Sequence, residues 1–246
     1  MDWIYLSPHF DDIAFSCGGL VWEQVQEGNS VSIWTICAAD PPEGDLSDFA
    51  AYKHVTWETN KEAVNHRRRE DQISCALMGA RARYFPLQDC IYRQDPLTGS
   101  FLYDSEESLW GAIHPSESIL LEKLVSELIQ VLPENAQIVS PLALGNHVDH
   151  RLTRKAAEAL NRPLWYYADF PYVIHMPEVF INLTKEGWTR TVFPISESGM
   201  AIWENAVAAH TSQISTFWSN EFDMRKSLRN YRDQVGGIAL WRSARG

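Results

Sequence analysis

The chain has 246 residues, 45% of them hydrophobic, which is enough for one large domain with a real core. Its formal net charge is −11, and an acidic surface of this kind repels phosphate backbones and anionic lipids, so nucleic acid and membrane surfaces are excluded as partners. No stretch approaches the roughly 20 apolar residues of a membrane span. Met1-Asp2 leads into an alternating apolar run without the basic region or cleavage pattern of a signal peptide.

Cys17, Cys37, Cys75 and Cys90 stand apart from one another in apolar surroundings. They form no Cys-x-x-Cys pair and read as buried free thiols, which points to a reducing, cytoplasmic location. Ten tryptophans and nine tyrosines belong first to core packing. A sugar-sized pocket is a second use for some of them.

In chain order, Trp3 to Ser7 reads as a short apolar strand, and Asp11 to Glu27 as a helix closed by Gly28. Val31 to Ala38 is a second buried strand, followed by a polar segment from Asp40 to Asn60. Residues 61–79 form a charged amphipathic helix ending at Gly79. Arg83 to Leu87 is a third strand, and residues 88–112 are irregular, with a turn at Pro96 and Gly99. Residues 116–132 have the clearest amphipathic period, with Ser116 as N-cap and Pro133 just beyond. Ala136 to Pro141 is a fourth strand, Asp149 to Leu160 a helix, and Leu164 to Ala168 a fifth strand. The last 75 residues are less regular: strand-like Val179–Leu183 and Thr191–Ile195, and helices near 197–210 and 221–233. The alternation predicts an α/β fold, Rossmann-like, with a mostly parallel central sheet, helices on both faces and a mixed C-terminal elaboration. A single domain is expected over 1–246, its core about 1–170 and the elaboration about 171–246.

Two acidic–histidine clusters stand out. His9-Phe10-Asp11-Asp12 falls where the first strand ends and the first helix begins. His147-Val148-Asp149-His150 falls at the equivalent place after the fourth strand. Sites in open parallel sheets form outside the strand C-terminal ends, so the two clusters can meet in space. Histidine and carboxylate in this combination suit a metal with one open position, where water becomes acidic enough to attack an amide or ester near neutral pH. A neighbouring carboxylate is then needed to take the water proton, and Asp11 is adjacent. The blander reading is that Asp11, Asp12 and Asp149 cap helices and that His9 is a core histidine. The joint occurrence at two equivalent strand ends favours the metal.

These residues resemble the LmbE-like, or PIG-L-like, N-deacetylases, whose members include the N-acetylglucosaminyl-phosphatidylinositol deacetylase and the mycothiol- and bacillithiol-pathway deacetylases. The first family motif, His-Pro-Asp-Asp-Glu followed by Gly-Gly, is matched by His9-Phe10-Asp11-Asp12-Ile13 and Gly18-Gly19. The second, His-Pro-Asp-His, is matched by His147-Val148-Asp149-His150. Arg67-x-x-Glu70 with Met78-Gly79 is similar to a third. The resemblance spans about residues 3–168. It implies that His9, Asp12 and His150 bind zinc, or Fe2+ or another divalent ion. It also implies that Asp11 is the general base and that His147 polarises the amide oxygen or protonates the departing amine.

By the same resemblance Arg67 lies near the substrate's polar groups; a solvated charged helix face is the alternative for it. Gly18 and Gly19 are read as letting the first helix approach the sheet closely. Tyr92 and Arg93, in the irregular segment, are the further candidates for substrate contact, and Trp57 and Trp110 belong to the same overhanging loops. The departures are Phe10 and Val148 for proline, Ile13 for glutamate, and Gly145-Asn146 where some relatives carry a tyrosine before the second motif.

The implied activity is removal of an acetyl group from an N-acetylated sugar or related small amide. There is no Gly-x-Ser-x-Gly elbow, dinucleotide fingerprint or Walker loop to support another chemistry. An Fe(II)-type metalloenzyme and a sugar-binding protein with a degenerate site are the alternatives, and a homo-oligomer is compatible with everything above.

Overall fold

The computed structural model describes residues 1–56, 62–175 and 187–243; Trp57 and the expected strand Val179–Leu183 lie outside the described residues. Seven strands form one sheet in the order β3-β2-β1-β4-β5-β7-β6. They are β1 (Asp2–Ser7), β2 (Ser30–Thr35), β3 (Arg81–Tyr84), β4 (Gln137–Pro141), β5 (Leu164–Tyr167), β6 (Trp188–Phe193) and β7 (Ile238–Ser243). The first five run parallel. β7 pairs antiparallel with both β5 and β6.

The central strands are apolar because both faces are covered. Ile4, Leu6, Ile138 and Val139 are buried, as are Tyr5 and Ser7. β3, at an edge, carries Arg81 and Arg83, whose charge discourages pairing with another chain. It runs from Arg81 to Tyr84 in place of the expected Arg83–Leu87 and ends before Pro86, which has no N–H for a ladder, with Phe85 and Leu87 buried beyond its end.

Five helices follow the sequence pattern closely: α1 (Asp12–Gln26), α3 (Ala63–Met78), α4 (Ser118–Val131), α5 (Val148–Glu158) and α7 (Glu197–Ala208). Gly79, in the left-handed region at φ 74°, closes α3. α9 (Glu221–Val235) also forms where expected.

Three short helices arise where none was expected: α2 (Asp48–Thr56), α6 (Tyr172–His175) and α8 (Thr211–Phe217). β7 is the other addition, following Gly236-Gly237. Each is too short or too polar to show a period of its own, and tertiary packing decides it.

The glycine pair in α1 serves a neighbour besides the expected sheet. A Cβ on Gly18 would stand 2.7 Å from Cδ1 of Trp203, and one on Gly19 would be 3.2 Å from its Cε3. Trp203, fully buried on α7, donates its indole N–H to the Ala14 carbonyl at 2.8 Å. The closest approach at the pair is that of α7 to α1, while the Cβ on Gly19 would also stand 3.5 Å from Cδ1 of Ile238 on β7 of the sheet.

In the sheet, β1 and β4 are neighbours, with the chain winding outward from β1 through β2 to β3 and from β4 to β5. That reversal opens a crevice at the strand C-terminal ends, and both histidine clusters lie there.

Candidate active site

His9 leaves β1 on a tight turn whose backbone N–H donates to Asp12 Oδ2 at 2.7 Å. Asp11, at the N-cap position of α1, makes no capping bond, which removes the bland reading for it. After β4 the chain passes through Ala143, Gly145 and Asn146, all at positive φ (57°, 88° and 64°), and arrives at His147. There it is His147 Nδ1, not Asp149, that caps α5, accepting the Asp149 N–H at 3.3 Å.

His9, Asp12 and His150 converge. Asp12 turns Oδ2 toward His9 Nδ1 at 3.4 Å and Oδ1 toward His150 Nε2 at 3.2 Å. Each imidazole is backed by a buried carboxylate on its far nitrogen. His9 Nε2 donates to Asp149 Oδ2 at 3.0 Å, and His150 Nδ1 donates to Asp169 Oδ1 at 2.7 Å. A carboxylate behind a histidine fixes its tautomer and aims the other lone pair, the usual outer support of metal-binding imidazoles. Burial would lower the pKa of both histidines, but Asp12 and Asp149 outweigh it at His9, and Asp12 and Asp169 raise His150 to about 10. The pull of several carboxylates on two buried imidazoles is the electrostatics of a cation site. Two nitrogens and an oxygen make a donor set that suits a divalent transition metal. Ring nitrogens of His9, His147 and His150 lie within 4.8 Å of one another, and Asp12 joins this group through its contacts with His9 and His150.

Asp11 Oδ1 accepts from Arg67 Nη2 at 3.0 Å, and both side chains are buried. Arg67 is thus held at the site by a named partner instead of lying on a solvated helix face. Burial and the charge of His9 drive the His147 pKa well below the ordinary histidine value. With Nδ1 accepting from the backbone, the neutral ring carries its proton on Nε2.

His9, Asp11, Asp12, Arg67 and His147 line a cavity of about 130 Å³ together with Asp89, Trp110, Tyr172, Gln213 and Phe217, and His150 is buried behind Asp12. The Lys53–Glu106 ion pair stands at the same cavity. The Trp110 strap is pinned to the second cluster by the Gly111 N–H donating to Asn146 O at 2.9 Å. Gly145 leaves room that the Tyr172 ring takes, since a Cβ there would meet Tyr172 Cγ at 3.2 Å. A phenol therefore stands at the cavity although none precedes His147.

Tyr92 and Arg93 require correction. Neither lines the cavity. Tyr92 is buried with its hydroxyl on His54 Nε2. Arg93 is buried between Asp149 and Glu117, where it neutralises Asp149 and so supports His9 at one remove. An arginine in an acidic chain reads as a binding residue, but two buried carboxylates claim this one. Sequence reasoning missed Asp169 and Asp89, which follow strand or loop ends at the same edge of the sheet. Their position one residue or a few beyond a strand was the available signal.

Residues 4–161 match the family model for GlcNAc-PI de-N-acetylase, PIG-L. The chain belongs to this family. Among curated relatives, the 2'-N-acetylparomamine deacetylase of Niallia circulans is 30% identical over 186 residues, covering 69% of this chain and 66% of that protein. The Streptomyces fradiae protein of the same name is 28% identical, covering 74% and 61%. The chain thus spans just under two thirds of the length of these relatives. Among solved structures, the zinc-inhibited form of teicoplanin deacetylase Orf2 superposes with a TM-score of 0.80 at 25% identity, covering 98% of this chain and 97% of that one. The family model spans β1 to α5, and the superposition on the teicoplanin deacetylase extends over the rest of the sheet to β7. Among the described residues, no helix is long and apolar enough to cross a membrane.

Proposed function

We propose that the chain is a zinc-dependent N-deacetylase that hydrolyses the acetamido group of an N-acetylated amino sugar or a related small amide. The observation that carries this is the convergence of His9, Asp12 and His150, each histidine held by a buried carboxylate, beside Asp11 and His147. The deacetylases among its relatives support the same reaction class. His9 Nδ1, His150 Nε2 and the Asp12 carboxylate would hold the ion; the set also accepts Fe2+, and elemental analysis tells the two apart. When bound, the ion supplies Lewis acidity and makes water at the site acidic enough to act near neutral pH.

The protein's own groups do the rest. Asp11, steadied by Arg67, takes the water proton as the new C–O bond forms and passes it to the departing nitrogen as the C–N bond breaks. The products are acetate and a primary amine. His147 donates its Nε2 proton as a hydrogen bond to the amide oxygen, where charge develops. It needs no second proton, because Nδ1 is already engaged by the Asp149 N–H. Asp89 and Trp110 face the sugar. The ring carrying the acetamido group would sit in this cavity, with the rest of the substrate toward Lys53 and Glu106, which line it.

We further infer that residues 1–246 work as one domain, since Trp203 locks the C-terminal elaboration onto α1. Four buried free thiols support a reducing, cytoplasmic setting. A primary-amine release assay across N-acetylated amino sugars and simple amides tests the activity. Release from at least one amido sugar is expected; no release from any member, with the ion present, would contradict the proposal.

A further inference from the structure

Glu70 lies one helical turn beyond Arg67 on α3 and is 4% exposed. It reaches the first turn of α8. Its Oε1 accepts from Thr211 Oγ at 2.6 Å and from the Ser212 N–H at 2.8 Å, and its Oε2 accepts from Ser212 Oγ at 2.6 Å. His66 Nε2 adds a contact at 3.1 Å. Burial opposes ionisation of Glu70, but the hydrogen bonds from Ser212 and Thr211 outweigh it and hold the carboxyl below its usual range. A carboxylate only accepts, so the single proton of the Ser212 hydroxyl is committed to it.

That commitment travels one step further. Gln213 lies with an amide atom 3.0 Å from Ser212 Oγ. The hydroxyl has no proton left to give, so it meets Gln213 as an acceptor, and the atom facing it is the NH2. The orientation of a glutamine amide is otherwise ambiguous from geometry alone, and here the acceptor-only Glu70 settles it. Gln213 is itself buried and lines the cavity beside Asp11 and Arg67. With one Nε2 hydrogen turned back to Ser212, its Oε1 is the acceptor left for the cavity.

We propose that Gln213 is a substrate-binding residue whose Oε1 accepts a hydrogen bond from the amido sugar, and that Glu70 and Ser212 are positioning residues that set its polarity. The partner is a donor, a ring hydroxyl or the amide N–H. The proposal rests on the amido-sugar reading above. It also divides the work of the Arg67-x-x-Glu70 helix, with Arg67 holding the base and Glu70 aiming the opposite wall.

The test compares wild type with Gln213→Ala, Ser212→Ala and Glu70→Gln. It uses the methyl glycoside of N-acetylglucosamine and its monodeoxy analogues, with KM and kcat for turnover and calorimetric Kd for binding. Gln213→Ala should raise KM and Kd about tenfold, the order of one hydrogen bond of ~1.4 kcal/mol, with kcat changed less than about twofold. Ser212→Ala should shift the same parameters in the same direction, and adding it to Gln213→Ala should change nothing more. Glu70→Gln should behave like Ser212→Ala; if that variant does not fold, the Ser212→Ala cycle decides alone.

A deoxy analogue that loses affinity in wild type but not in Gln213→Ala identifies a hydroxyl as the donor. A loss matched by no deoxy analogue identifies the amide N–H. Unchanged KM and Kd in Gln213→Ala, or full additivity in the double variant, overturns the proposal. If every amido sugar of the release screen bound without being hydrolysed, the deacetylase reading would fall while the Kd comparison stayed decisive, and if none bound or reacted, both would fall.

Discussion

The two sides of the cavity are built on different principles. On one side, the loops after β1 and β4 hold His9, Asp11, Asp12, His147 and His150, most of them fixed by charged partners or by the backbone. On the other, Tyr172, Gln213 and Phe217 come from short helices held by ring packing and by the Glu70 clamp. The first side lies at the crevice of a parallel sheet, where β1 and β4 stand side by side and the chain winds outward from them in opposite directions. The second belongs to the elaboration docked on α1 by Trp203. On the proposed function, the charged network carries the reaction chemistry and the ring-packed wall meets the substrate.

The comparison predicts its largest effects at the ion. His150→Ala removes one of three protein ligands and should abolish retention of the metal and, with it, activity. His147→Ala should keep the metal and lower kcat by about 10²–10³-fold, the scale of losing one donor to a developing oxyanion. Equal metal loss in both variants would show His147 to be a fourth ligand. Measuring bound metal and kcat on the same samples separates the outcomes.

Asp11→Asn should retain metal and lose about 10²–10⁴-fold in rate, the ordinary cost of a missing general base. Parallel loss of metal would instead make Asp11 a ligand. Asp169→Asn tests whether support from behind matters. It leaves all three ligands in place, yet metal affinity should fall about 10–100-fold as His150 loses its orienting carboxylate. Metal titration with a competing chelator reads this directly.

The smallest effect on activity, and one read in stability, belongs to Asp71. It is buried on α3 beneath Arg67, and burial raises its pKa to about 7, although the Tyr84 hydroxyl at 2.7 Å pulls the other way. A carboxyl raised in the folded state stays protonated there while the unfolded chain ionises from pH ~4 upward. The unfolded state then binds fewer protons, so stability is lost as pH rises from about 4 to about 7 and stays low above it. The loss is of the order of 4 kcal/mol at most, at ~1.4 kcal/mol for each pH unit of that window. Asp71→Asn should flatten thermal stability across that window and raise Tm at pH 8. An unchanged pH profile would show that Asp71 is ionised in the fold.

How much of this was legible in the sequence follows the same division. Both clusters were readable because each packs its residues within four positions at the junction of an apolar strand and a helix. The five parallel strands and six longer helices showed their periods. β7 and α8 were not readable: Ile238–Ser243 is a brief apolar run after two glycines, and Thr211–Phe217 is too short to display a face. Asp169 offered only its position just beyond a strand, because its role depends on β5 lying beside β4. Arg93 was misread because burial between Asp149 and Glu117 is a tertiary fact. Gly18 and Gly19 announced a close approach but not that Trp203, 184 residues after Gly19, would make it.

The central claim is one divalent ion held by His9, Asp12 and His150 and required for amide hydrolysis. The most direct test is to follow metal content and amine release from an N-acetylated amino sugar on the same sample during dialysis against a chelator. The two should fall together and return together when about one equivalent of zinc is restored. Protein stripped of metal that still releases amine at the full rate would contradict the account.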